Sequence, residues 1–107
     1  DANCELRKAA CDGLVEDMKR LLDGGANIET RSTRNECFGG GEYYWFPGST
    51  PIRFAAGCGQ VETTELLIQR RANIEATNNI GMTALHGAAW YNHNNTIKVL
   101  LQHGADF

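Results

Sequence analysis

The chain has 107 residues, with 13 acidic and 10 basic side chains and a net charge of −3 at neutral pH. That length fits one small domain or a short array, and the weak acidity argues against a general nucleic-acid binder, which carries a basic field. Apolar residues make up 42%, enough for a packed core; no apolar run approaches the roughly 18 residues of a membrane span.

In chain order, a first short helix is expected around Leu6, Ala9 and Ala10, whose small alanines let a neighbouring helix come close. Gly13 breaks it. A second helix carries Val15, Met18, Leu21 and Leu22 on one face and ends at Gly25. The pattern returns as Ile52, Ala55 and Ala56, then Gly59, then Val61, Thr64, Leu67 and Ile68, with Arg71 in the place of the capping glycine. A left-handed Arg71 there costs about 1 kcal/mol. Asn78, Asn79, Ile80 and Gly81 form a tight turn. A third copy places Leu85, Ala88 and Ala89 on one helix and Ile97, Leu100 and Leu101 on the next, with Asn92 between them and Gly104 after them.

The spacing makes this a repeat. The alanine pairs begin at Ala9, Ala55 and Ala88, so the last two copies are 33 residues apart and the first two 46. The blocks match internally, so 13 additional residues lie between the first and second. Thr83-Ala84-Leu85-His86-Gly87-Ala88-Ala89, Thr50-Pro51-Ile52-Arg53-Phe54-Ala55-Ala56 and the recurring Gly-Ala-Asn/Asp ending, with Arg71 for glycine in the second copy, resemble the ankyrin repeat, whose signature includes T-P-L-H-x-A-A. The resemblance implies an all-α solenoid of stacked antiparallel helix pairs with β-hairpin finger loops. It divides the chain into repeat one (1–28), an extended finger (29–49), repeat two (50–82) and repeat three (83–107). The third copy stops at Phe107 without a polar capping helix, so we expect the native protein to continue.

The extended finger is chemically unusual. Five of the nine aromatic residues, Phe38, Tyr43, Tyr44, Trp45 and Phe46, fall within nine positions of it. They either fold back onto the stack or form a contact surface, for which tyrosine and tryptophan are well suited. Arg31, Arg34 and Arg53 are placed to meet acidic groups. The resemblance puts Phe54, Trp90 and Tyr91 along a concave groove and Asn79 and Ile80 at the next finger tip. These thirteen residues are the expected partner-binding set.

Catalysis has little support. His86 occupies the T-P-L-H slot, used by the family for hydrogen bonds within the stack, and no cysteine has a base placed by the sequence. Gly39-Gly40-Gly41 lacks the lysine and strand–helix context of a phosphate loop. No cofactor or metal is expected. Cys4 and Cys11, seven apart on one helix, rise roughly 10 Å, too far for a disulfide; Cys37 and Cys58 pair only through folding. We therefore expect free thiols in a reducing compartment. Asn94-Asn95-Thr96 fits a glycosylation sequon, a triplet common by chance.

The function expected is non-enzymatic protein–protein recognition by a cytoplasmic adaptor, scaffold or targeting arm of a larger protein. Its partner is a protein or peptide rather than nucleic acid, without membrane insertion. The alternatives are a small-ligand-sensing segment of an enzyme or channel, with Trp45, Trp90 and Tyr91 gripping the ligand, and a spacer in a long array.

Overall fold

A computed structural model describes residues 2–33 and 47–105. Arg34, Phe38, Tyr43, Tyr44, Trp45 and Phe46, and Cys37 with them, lie outside the described residues. Within those residues the chain forms six helices and no strand: α1 (Ala2–Asp12), α2 (Val15–Asp23), α3 (Pro51–Gly57), α4 (Val61–Gln69), α5 (Ala84–Trp90) and α6 (Asn94–Gln102). None is long and apolar enough to cross a membrane.

The helices make two layers. The first helices α1, α3 and α5 pack side by side, and α2, α4 and α6 pack behind them. The alanine pairs explain the close inner layer: Ala10, Ala55, Ala56 and Ala88 are wholly buried. Leu6, Met18, Ile52, Phe54, Leu67 and Leu100 fill the space between the layers and are fully buried too. Each such side chain contributes about 1.5–3 kcal/mol on leaving water.

The turns follow the punctuation read from the sequence. Gly13 and Gly59 adopt φ of +76° and +73° between the paired helices, and Asn92 takes +61° in the same slot. Gly25 and Gly104 are left-handed after the second helices, and Arg71 adopts +67° in their place, as expected.

The two fingers share one base. In the second, the Asn78 amide donates to the Met82 carbonyl (3.0 Å), the Gly81 amide to the Asn78 carbonyl (3.0 Å), and the Met82 amide to Asn78 Oδ1 (3.0 Å). In the first, the Ser32 amide donates to the Ser49 carbonyl (3.0 Å), the Gly48 amide to the Ser32 carbonyl (2.7 Å), and the Ser49 amide to Ser32 Oγ (3.1 Å). The same three bonds recur with Ser32 for Asn78. The additional residues therefore sit between Ser32 and Gly48, inside a base that is otherwise that of finger two.

Candidate interaction surface

Three side chains occupy the T-P-L-H histidine slot, and each behaves differently. His86 closes a capping box at the start of α5: the Thr83 amide donates to His86 Nδ1 (2.9 Å), while the Thr83 side chain accepts from the His86 amide. An Nδ1 that accepts carries its proton on Nε2 when neutral. Arg7 turns to the finger instead, and its guanidinium donates to Thr30 Oγ1 (2.7 Å). At α3, Arg53 replaces the histidine and Thr50 has no side-chain cap bond. Thr50 Oγ1 is buried without a hydrogen-bond partner.

Arg53 is 4% exposed and Phe54 is 0% exposed. Both differ from the expectation of a partner-binding role, because both lie inside the stack. The reason for Arg53 is in the next repeat. A Cβ on Gly87 would collide with the Arg53 guanidinium, so the missing side chain is the space the arginine fills. Burial pushes the Arg53 pKa below its ordinary value, with Tyr91 opposing that shift. Phe54, one residue further along α3, belongs to the central core cluster.

The fingers are tied together. Arg31 extends across both, donating through Nη1 to the carbonyls of Gly48 (3.0 Å) and Thr77. The Asn79 amide donates to the Pro47 carbonyl (3.0 Å), and Glu29 of finger one accepts from the Asn73 amide (2.8 Å). Thus Arg31 is a strut between fingers, and Asn79 shares that work through its backbone. On this braced turn Ile80 is 55% exposed, while its amide donates to Asn78 Oδ1 (3.1 Å).

Trp90 is 74% exposed. It holds the slot of Cys11 and Gly57, which are both buried where the following first helix packs against them. Its ring lies on the side of α5 facing away from α3. Tyr91 beside it is half-buried, with its ring centroid 6.2 Å from that of His93. His93 Nε2 lies 3.0 Å from the Gly57 carbonyl, tying repeat three to repeat two. The described part of the expected set is thus split between the finger platform (Arg31, Asn79, Ile80), the interior (Arg53, Phe54) and the end of α5 (Trp90, Tyr91).

The expectation of four free thiols is corrected. Cys11 and Cys58 form a disulfide with Cα atoms 5.4 Å apart, while Cys4 is an exposed thiol outside that bond. Forty-seven residues separate the pair, so no local spacing pattern announces it. The signal was in the repeat register. Both cysteines follow an alanine pair, one and two positions on, and first helices of successive repeats stand side by side. Among the described residues no group of three or more His, Cys, Asp or Glu side chains could hold a metal ion. In the sequon, Asn94 is exposed at the start of α6 and Thr96 is buried.

A family model for ankyrin repeats, in three copies, matches residues 6–107. Among similar proteins, an E3 ubiquitin-protein ligase, XBAT33, of Arabidopsis thaliana is 34% identical over 96 residues, covering 90% of this chain and 17% of its own length. Serine/threonine-protein kinase 12 of the same plant is 28% identical over 98% of this chain and 20% of its own length. A homolog of transient receptor potential cation channel subfamily A member 1 from Caenorhabditis elegans is 28% identical over 95% of the chain and 7% of its own length. The chain spans a fifth or less of these relatives, so the resemblance lies in the repeat stack they share. Three copies of the motif, two helical layers and fingers with a common base agree: the chain belongs to the ankyrin repeat family, whose repeats are protein-interaction modules.

Proposed function

We propose that this stack is a non-catalytic recognition module that meets a protein or peptide partner on its braced finger platform. One observation carries the reading. Ile80 is more than half exposed on a turn whose backbone is fixed by Asn78 and bonded to finger one. A rigid apolar group loses little freedom on docking, so more of its burial appears as affinity. The aromatic run Tyr43-Tyr44-Trp45-Phe46, next to Pro47 in the sequence, would extend that platform with hot-spot side chains. Arg31 supports the surface as a strut rather than as a direct contact. Cytoplasmic placement, as part of a larger protein such as its relatives are, suits this role.

A photo-crosslinking residue at position 80, compared with one at the exposed Gln69 on α4, tests the platform. Adducts with a defined protein from position 80, lost on Asn78→Ala, are expected. Equal adducts from position 69 would move recognition to the outer helices.

A further inference from the structure

We propose that the Cys11–Cys58 disulfide is a reversible clasp, opened by a dithiol reductant, that sets how firmly repeat one and its finger are held to the rest of the stack. The two sulfurs are unequally shielded. Cys11 is 1% exposed, at the end of α1, whereas Cys58 is half-buried at the C-terminus of α3. Of the two residues, Cys58 is the one a small thiolate meets first. Partly exposed disulfides are the labile ones, and shielded ones are the permanent staples.

The exchange balances as follows. The reductant's thiolate attacks Cys58 Sγ, forming a mixed disulfide, and the Cys11 thiolate leaves and takes up a proton. The reductant's second thiolate then attacks its own sulfur in the mixed disulfide and releases the Cys58 thiolate, which is protonated in turn. Two electrons pass to the protein, and the dithiol ends as a disulfide. Re-oxidation reverses the sequence with any disulfide of higher potential.

The surroundings suit a clasp because the interface does not depend on the bond alone. Gln60 Nε2 donates to the carbonyl of Cys11 itself (3.0 Å), and Thr63 Oγ1 donates to the Ala10 carbonyl (3.0 Å). Arg70 pairs with Asp23 at 2.9 Å across the second helices. These contacts keep the two thiols adjacent after reduction, so the bond can re-form. What reduction removes is the covalent limit on how far α1 and α2 open away from α3 and α4.

The test uses the whole chain with Cys4→Ser and Cys37→Ser, leaving only this pair. The oxidised protein is treated with dithiothreitol in native buffer, and maleimide-reactive thiols are counted by mass against time. Amide hydrogen exchange is followed in residues 6–30 and 94–102. Two thiols should appear at least 10-fold faster than global unfolding. Exchange should quicken in residues 6–30 and stay unchanged in 94–102. Oxidised glutathione should restore the protection, and Cys11→Ala/Cys58→Ala should exchange like the reduced form in either condition. Thiols that appear only at the unfolding rate would make the bond a permanent staple and overturn the clasp. So would two free thiols before reduction, or unchanged protection of residues 6–30 after it.

Discussion

The two junctions between repeats are built on one register and held by different chemistry. At each, the residue after the inter-helix turn reaches back to a carbonyl in the last turn of the preceding repeat's first helix. Gln60 donates to Cys11, and His93 does the same work at Gly57, both at 3.0 Å. There the likeness ends. The first junction adds a disulfide and the Thr63 hydroxyl on Ala10. In the second, Thr96 occupies the Thr63 slot, yet its hydroxyl is buried without a hydrogen-bond partner. The second junction instead encloses the Arg53 guanidinium over Gly87. A repeat fold fixes backbone register, and each junction then acquires its own strength from a few side chains. In a stack whose stability is a sum of repeat and interface contributions, those side chains decide where it opens first.

The largest expected effect comes from removing the covalent difference. Cys11→Ala/Cys58→Ala frees a loop of 47 residues in the unfolded chain, which corresponds to about 4 kcal/mol in the chain-entropy account. Denaturant titration of oxidised protein against the variant measures it. A loss below about 1 kcal/mol would mean that the first junction does not owe its strength to the bond.

Next comes Gly87→Ala, which puts a methyl group where the Arg53 guanidinium lies. Overpacking of this kind costs about 1–3 kcal/mol. In an Arg53→Met background the same substitution should cost less than half as much, because the longer guanidinium is gone. Additive losses in that double-mutant cycle would break the assignment of Gly87 as the arginine's space.

The register was legible because it rests on local backbone needs. Alanine pairs, left-handed turns and apolar stripes recur wherever the chain must turn and pack, and even Arg71 follows the pattern against its own preference. The interior of the junctions was not legible, because it depends on pairs far apart in sequence. Arg53 reads as a surface cation until Gly87, 34 residues on, is seen to leave it room. Cys11 and Cys58 read as unrelated thiols until the first helices are set side by side. Trp90 reads as a groove residue, yet it is exposed in the slot where Cys11 and Gly57 are buried. Of the candidate surface, the finger-two turn with Asn79 and Ile80 was legible, since turn residues are local; the bracing by Arg31 across 46 residues to Thr77 was not.

A smaller effect separates the two threonines. Thr63→Val removes a hydroxyl that donates to the Ala10 carbonyl at 3.0 Å, for about 1–2 kcal/mol. Thr96→Val removes a hydroxyl that already has no partner, so stability should hold or rise by up to about 1 kcal/mol. Chemical denaturation of the two single variants reads the difference directly. Equal losses would show that the hydroxyl bond does not distinguish the junctions.

The smallest expected effect tests what the junctions share. His93 and Gln60 sit at one register position, each over a glycine of the preceding turn. A Cβ on Gly59 would meet the His93 ring at 2.5 Å, and one on Gly13 would meet Gln60 Oε1 at 2.6 Å. Either side chain therefore fills the same narrow space and donates to the same carbonyl. His93→Gln should then stay within about 0.5 kcal/mol of the parent, since one N–H donor replaces another, while His93→Ala should lose about 1 kcal/mol. If glutamine costs as much as alanine, the imidazole contributes through its ring, against Tyr91 at 6.2 Å, and not through the Gly57 carbonyl. The two junctions would then share a position without sharing a bond.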